Sequence, residues 1–596
     1  MTRKILWMLV SFLLVAALVL ASCAKEEVVE EEEEEEEEEE VVVEEEEEEE
    51  EEEPAVGVPQ YGGKYTVIYF ATEDAGSADV QSQHWPALAY SGNVLERPMR
   101  GDYEKYGPRG TGEYDFGPHP FLPIEFLTGA LAESWEVTTD KIIFHVRPGV
   151  YWTGKSINPV MERREYDAHD LVFNLKRFLG LPYAASIAGL GFIETPYEEH
   201  IYAVDNYTAV VELERFHSDW WLGLGIFATA LHMAPETVEA GPEEWENIVG
   251  TGPFYITENV HGSHMGYARN PDYWRTTVID GVEYELPFID KLIMPFIPDE
   301  STRMAALRTG TLDTCLTVDS VPASGLEMTA PDMLRAELCS GDVHIIALRL
   351  DRPPLDNIDV RRALMMATDQ ELIFETIFDG VGELYAFPLA RGVSGHVPLE
   401  ELPPATRELF EYDPVKARQI LVDALGHEEG LDVVIEIGPT GWWPLTAEML
   451  VPMWEEIGIR TEIIVHESVA LSSIMMDLRN EMVMIRHCQP LAVTNFAEVM
   501  LTDGYINLPH YSNPYYDELV KQVFETVDPD ERRLIAEELF LLTLEEVAFI
   551  PFGMQSNYVY WWPWVKNYYG ERNIGCVTLT AETLWIDQAL KAEMGY

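Results

Sequence analysis

Basic residues are the first shortage. Across 596 residues, 39 Lys and Arg face 106 Asp and Glu, a formal net charge of −67. The segment Glu26–Glu53 takes 23 of the acids and residues 1–25 take three of the bases, which leaves 83 acids against 36 bases beyond it. Nucleic-acid phosphates need Lys and Arg, so no nucleic-acid partner is expected. Self-repulsion of this size favours a soluble, non-aggregating surface. Cysteine is scarce too. After Cys23 only Cys315, Cys339, Cys488 and Cys576 remain, none in a CxxC pair, which removes zinc-ribbon and thioredoxin-like readings. An exported chain can form disulfides. Cys315 and Cys339 are close enough in sequence to bridge, and four separate thiols fit equally well. No GxSxG or HExxH occurs, and the histidines are scattered without metal-ligand spacing. No catalytic residue, metal or cofactor is therefore expected, and the chain is not read as an enzyme. There is no repeat of fixed period, and beyond the N-terminus no apolar run is long enough to cross a membrane.

What is present begins with a leader. Arg3 and Lys4 precede an uncharged apolar run from Ile5 to Leu20, too short for the ~20 residues of a spanning helix. A basic start, a short apolar core and small residues at its end describe a signal peptide. The end, Leu20-Ala21-Ser22-Cys23, resembles a bacterial lipobox, which implies residues 1–23 as leader and lipid attachment at Cys23. More than one acyl chain is needed for stable anchoring. Residues 24–59 then read as a linker. Glu26–Glu53 contains only Glu and Val, and like charges at helix-neighbour spacing repel, so a disordered spacer is expected. Stretched out, it could span roughly 90–100 Å. Pro54 and Pro59 mark the approach to the folded body.

The body is too long for one core, so at least two domains are expected. Lys141–Arg147 alternates apolar Ile142, Phe144 and Val146 with the residues between them, a strand pattern. Asp413-Pro414 and Asp528-Pro529 each open a helix, with Asp as N-cap and Pro at N1. Asp432–Ile437 reads as a strand, Gly438–Pro444 as a loop, and Leu450, Met453, Trp454 and Ile457 as a helical stripe stopped by Gly458. Thr461–Val465 is a second strand. A strand–helix–strand unit makes the strands parallel, and the mixture along the chain argues for α/β lobes. Ligands of such sheets bind outside the carboxyl ends of the strands, which is where the Trp442–Trp443 loop falls.

Seven or so motifs then follow one another in a set order. They are Leu131–Val137 (LAESWEV) with Phe144–Val150 (FHVRPGV), Tyr166–Phe173 (YDAHDLVF), Val249–Phe254 (VGTGPF), Arg269–Trp274 (RNPDYW), Thr309–Asp313 (TGTLD), Val360–Asp369 (VRRAL ending in TD) and Tyr412–Ala417 (YDPVKA). This series resembles the family 5 extracytoplasmic solute-binding proteins, which include dipeptide-, oligopeptide- and nickel-binding members. The resemblance covers most of the chain from about Gly62. Most motifs read as structural: Asp369 and Asp413 as helix caps, and Thr251-Gly252-Pro253 as a turn between lobes.

The resemblance implies a two-lobed α/β periplasmic binding protein fold, of the large type II form, with a hinged cleft. The first lobe would span 60–320, with an extra subdomain at about 95–245. The second lobe would span 321–535, and residues 536–596 would return to the first. It implies a monomeric extracytoplasmic binding protein that closes on a solute and docks on ABC permease subunits driven by cytoplasmic ATPases. Peptide binders of the family usually carry an Asp in the second lobe that holds the peptide's amino terminus. The corresponding stretch here, Met484–Pro490 (MIRHCQP), has no acid. Arg486 suits a carboxylate or a hydroxyl-rich ligand instead. A peptide-like solute is expected. An oligosaccharide is the alternative, favoured by 15 Trp and 28 Tyr. An exported hydrolase and a receptor without transport are further readings. The ligand-binding candidates are Trp442, Trp443, Arg486, His487 and Gln489, with Glu73, Trp85 and Tyr90 of the first lobe.

Overall fold

The computed structural model describes residues 57–596, apart from 70–75, 83–84, 118–121, 182–190, 228–229, 440, 505 and 576–578. One mixed sheet of eleven strands runs through the body. Its first half holds Phe254–Val260, His264–Arg269, Lys291–Pro295, Lys64–Ile68 and Thr314–Val318, side by side in that order. Its second half holds Val483–Cys488, Leu431–Ile437 and Ile459–Val465, and the short strand Gly382–Glu383 pairs with Phe549–Trp561 off this path. Between the halves lie two long strands. The outgoing strand, Leu334–Leu348, carries the chain from one half to the other, and the return strand, Phe549–Trp561, brings it back. They pair antiparallel from Leu334↔Trp561 to Ala347↔Phe549. The register slips between Cys339 and Val343.

The cores divide at that slip. One large core takes in residues from Tyr65 to Leu338 and from Tyr558 to Ile586. Two others, one on each face of the second half-sheet, draw on residues between Val343 and Met554. This is the two-lobed α/β architecture expected from the sequence.

Local sequence accounts for the individual elements. The strand Lys141–Val146 buries Ile142, Phe144 and Val146, and joins Ala132–Val137, Thr208–Glu212 and Ile201–Asp205 in a separate four-stranded sheet. The helix Ala168–Leu179 starts on a capping box between Asp167 and Asp170. Asp413, Asp528 and Asp369 cap their helices as expected. Leu431–Ile437 and Ile459–Val465 pair in parallel across the helix Trp443–Glu456. That helix begins two residues earlier than Gly438–Pro444 as a loop would allow, because Pro444 fits the first turn, where its missing N–H costs nothing. The turn Thr251–Pro253 also departs from expectation. It lies inside the first lobe, not between lobes. Gly252 N–H donates to the Val94 carbonyl at 2.9 Å, and a Cβ on Gly250 would stand 1.8 Å from the same oxygen. Of the cysteines, Cys315, Cys339 and Cys488 are free thiols, and Cys576 lies outside the described residues.

The returning chain is fastened to the first lobe through Asp313, which has no exposed surface. Its carboxylate accepts from the Thr66 backbone at 2.8 Å, from Trp564 Nε1 at 2.8 Å and from Lys591 Nζ at 2.6 Å. Trp562 and Trp564 stack beside it at 4.7 Å. Removing one partner of a buried pair leaves the other charge uncompensated, at a cost of about 3–5 kcal/mol. Asp313→Ala should therefore lower the unfolding free energy measured by urea denaturation by an amount of that order. Asp313→Asn, which keeps the shape, should fall between the variant and the wild type.

Candidate functional site

The strand registers place two sets of carboxyl ends at the boundary between the lobes. In the first lobe Val318 pairs with Tyr558. In the second, Cys488 pairs with Val343. Tyr558 and Val343 flank the register slip on the crossing strands. The carboxyl ends of parallel strands are where open α/β sheets hold ligands.

On the second lobe, the strand Leu431–Ile437 ends at Gly438. A Cβ there would lie 2.6 Å from the Trp443 ring, so the glycine lets this indole pack onto the strand end. Trp443 touches both cores of the lobe. Trp442 lies flat on the imidazole of His344, with centroids 3.7 Å apart and planes 7° apart. Phe378 meets the same imidazole edge-on at 4.6 Å. His344 is buried on the outgoing strand, directly opposite His487. Burial, followed by the neighbouring His487, holds its pKa well below the ordinary value, so it stands neutral. Its Nδ1 is buried with no hydrogen-bond partner.

Arg486 lies on the opposite face of its strand, alternating with Ile485 and His487. Its Nε donates to the His487 carbonyl at 2.8 Å. His487 is exposed and Gln489 half-buried at the strand's end. Cys488 is inert, with burial pushing its thiol up to about 11.

On the first lobe, Tyr69 follows the strand Lys64–Ile68 and Asp319 follows Thr314–Val318. These strands pair in parallel. Arg572, from the returning chain, sets its guanidinium 5.0 Å over the Tyr69 ring. Its backbone N–H and that of Asn573 both donate to the Phe116 carbonyl, at 2.9 and 3.1 Å. Asp319 accepts from Asn557 Nδ2 of the return strand at 2.7 Å.

A second contact joins the lobes away from the crossing strands. Ser218 N–H donates to the Phe524 carbonyl at 2.8 Å. The buried Asp219 carboxylate accepts from Arg532 and from Thr494 Oγ1. His217 is sandwiched between Phe192 at 4.8 Å and Phe524 at 4.5 Å, its plane within 23° of each. Phe192 belongs to the first lobe's core and Phe524 to the second's. A small cavity of about 30 Å³ elsewhere in the first lobe is lined by Glu96, Arg100, Tyr273 and Glu582. Glu582 takes Arg100 at 2.5 Å and Arg275 at 2.8 Å, so that cavity is built on a structural ion network.

The sequence profile of the bacterial extracellular solute-binding proteins, family 5 middle region, matches residues 127–489. The chain belongs to that family. Heme-binding protein A of Haemophilus influenzae is 25% identical over 495 residues, which are 75% of this chain and 83% of that protein. Di/tripeptide-binding protein 3 of Pseudomonas aeruginosa is 26% identical over 362 residues, 57% of this chain and 63% of that protein. The ABC transporter-associated periplasmic binding protein DppA from Helicobacter pylori, solved in complex with the peptide STSA, superposes with a TM-score of 0.70 at 19% identity. That match covers 88% of this chain and 98% of the other. This family 5 chain is a binding protein and not an enzyme.

Within this family 5 fold, the sequence-predicted residues separate. Trp442, Trp443, His487 and Gln489 gather at the second lobe's strand ends. Arg486 faces away from Trp442. Tyr90 is 1% exposed in the first lobe's core, edge-on to Trp245 and Phe296. Trp85 opens the helix Trp85–Ser91, and its side chain lies outside the described residues, as do Glu73 and Cys23. Sequence reasoning missed His344, Asp319 and Arg572. The first could have been found by asking what an alternating strand does with a histidine at an apolar position. The other two carry no local signal. Among the described residues Glu194, His200 and Glu212 could hold a cation; Glu194 is exposed, His200 ends the short helix Tyr197–His200 and Glu212 ends the strand Thr208–Glu212. No helix among the described residues is long and apolar enough to cross a membrane.

His217 makes the second contact pH-sensitive. Burial pushes its pKa down to about 4, against the pull of Asp219 and with the help of Arg532 and Arg215. As pH falls from 6.5 towards 4, the unfolded chain takes up a proton that the folded one refuses, and stability falls by about 3 kcal/mol. His217→Phe keeps a ring between Phe192 and Phe524 and cannot titrate. Thermal melts across this range should show a flatter pH dependence in that variant than in the wild type.

Proposed function

We propose that this family 5 binding protein captures a peptide-like solute between its lobes and presents it to the permease of an ABC importer. The single observation that carries the reading is the pair of carboxyl-end surfaces meeting at the strand crossing, one with the stacked Trp442 and one with the buried Arg572. The relatives support the solute class, since two of those named above bind di- and tripeptides or hold a peptide. Closure is the proposed mechanism. The lobes, taken as 57–338 with 558–596 and 343–554, would turn about the register slip between Cys339 and Val343, and the Asp219–Arg532 contact would hold them shut. The proposed protein is a monomer outside the cytoplasmic membrane, tethered by lipid on Cys23, with Glu26–Glu53 as its spacer.

An oligosaccharide is the second reading, because flat indoles such as Trp442 stack on sugar rings. Ligand binding to the folded state alone raises the melting temperature, by about 2.7 kcal/mol of stability at a hundredfold excess over Kd. A thermal-shift screen of di-, tri- and tetrapeptides against cello- and manno-oligosaccharides separates the two. Shifts with peptides are expected; shifts with saccharides alone would replace the assignment. Trp442→Ala should weaken binding of whichever class responds by about 10- to 100-fold, and unchanged affinity would remove the loop from the site. In cell fractionation, Cys23→Ser should move the protein from the membrane to the soluble fraction.

A further inference from the structure

We propose that Arg572 is an anion site in the first lobe's wall of the cleft, and that it receives a carboxylate of the solute. The inference rests on the reading of the lobe boundary as the solute site and adds to it the charge of the group that enters.

Arg572 is 8% exposed. Its guanidinium makes no hydrogen bond or ion pair with any described residue, and its Nε is buried without a partner. Other buried arginines are treated differently. Arg100 and Arg275 share Glu582, Arg109 holds Glu571, and Arg361 donates to the Glu546 carbonyl. A buried, uncompensated charge is strongly unfavourable. Shortage of carboxylates does not explain it, since acids outnumber bases 106 to 39. Asp319 shares its electrostatic environment but forms no direct ion pair with it, and accepts from Asn557 instead.

Geometry points the same way. Arg572 stacks on Tyr69 at the end of one parallel strand and shares the field of Asp319 at the end of the next. Tyr568, in the same electrostatic neighbourhood, buries a hydroxyl with no hydrogen-bond partner. Trp561 packs edge-on against its ring at 5.2 Å. A guanidinium fork and a phenol, both buried and both unused, make a donor set for a planar carboxylate. Arg486 lies on the other lobe, with its Nε turned to the His487 carbonyl. For a peptide-like solute, the carboxylate is the free C-terminus or an acidic side chain.

The test is calorimetric titration of wild type, Arg572→Gln and Arg486→Gln with trialanine, trialanine amide and Ala-Asp-Ala amide, together with melting of each unliganded protein. Wild type is expected to prefer trialanine to its amide by about 10- to 100-fold. If an acidic side chain is what enters, the preference goes to Ala-Asp-Ala amide over trialanine amide. Arg572→Gln should abolish whichever preference exists, and Arg486→Gln should keep it. The unliganded Arg572→Gln protein should melt at or above the wild-type temperature, because a buried guanidinium without a directly paired carboxylate is gone. A preference that survives Arg572→Gln, or a variant that melts well below wild type, overturns the proposal. A wild type that binds none of the three removes the peptide reading; the anion site is then decided by the melting comparison alone.

Discussion

The antiparallel pairing of Leu334–Leu348 with Phe549–Trp561 is the constraint on which the rest of the molecule depends. These two strands are shared by both half-sheets, so they fix which ends of the other strands meet. Because Val318 aligns with Tyr558 and Cys488 with Val343, two sets of carboxyl ends are brought face to face. Had either crossing strand been displaced by a few residues, one lobe would present its strand ends to solvent. The slip between Cys339 and Val343 interrupts the ladder where the cores part, and it leaves paired strands on both sides. In the proposed closure, relative motion of the lobes would concentrate there without unpairing either half.

Electrostatics gives the second level of organisation. In a chain so poor in Lys and Arg, each buried cation is informative. Asp313 gathers Lys591, Trp564 and Thr66; Glu582 gathers Arg100 and Arg275; Asp219 gathers Arg532 and Thr494. In each case a buried carboxylate ties segments distant in sequence, and its low-dielectric surroundings make the pairing strong and its loss costly. Arg572 breaks the pattern, because Asp319 shares its field but no carboxylate among the described residues pairs with it directly. His344 departs in another way, with an imidazole stripped of charge and held flat against an indole. Both departures fall near the boundary between the two half-sheets.

What the sequence made legible was local or ordered. The Leu431–Val465 unit could be read because the strand, helix and strand follow one another and their periods differ. The caps at Asp369, Asp413 and Asp528 were legible because a cap needs only its next three residues. The run of motifs in fixed order identified the family. Long-range partners were not legible. Thr251–Pro253 was misplaced because the carbonyl it packs on, at Val94, is far away in the chain. Tyr90 has the composition of a ligand-contacting aromatic, and only packing against Trp245 and Phe296 shows it in the core. Arg572 sits in a stretch, Gly570–Gly575, that reads as an ordinary polar loop. Its meaning comes from Tyr69, far earlier in the chain, and from the lack of a directly paired carboxylate among the described residues.

The place of the return strand also governs how the molecule can be assembled as it is made. The second lobe is an insertion, begun and finished before the return strand is complete. Until Trp561 and the tryptophans after it exist, Thr314–Val318 and Leu334–Leu348 stand apart with a vacant slot between them. A partly synthesised chain thus carries two unpaired strand edges, which are templates for pairing with other chains. The carboxylate excess keeps such chains apart through self-repulsion at the moment when they are most able to aggregate. On this view the acidity of the molecule protects its unfinished form as much as it solubilises the finished one.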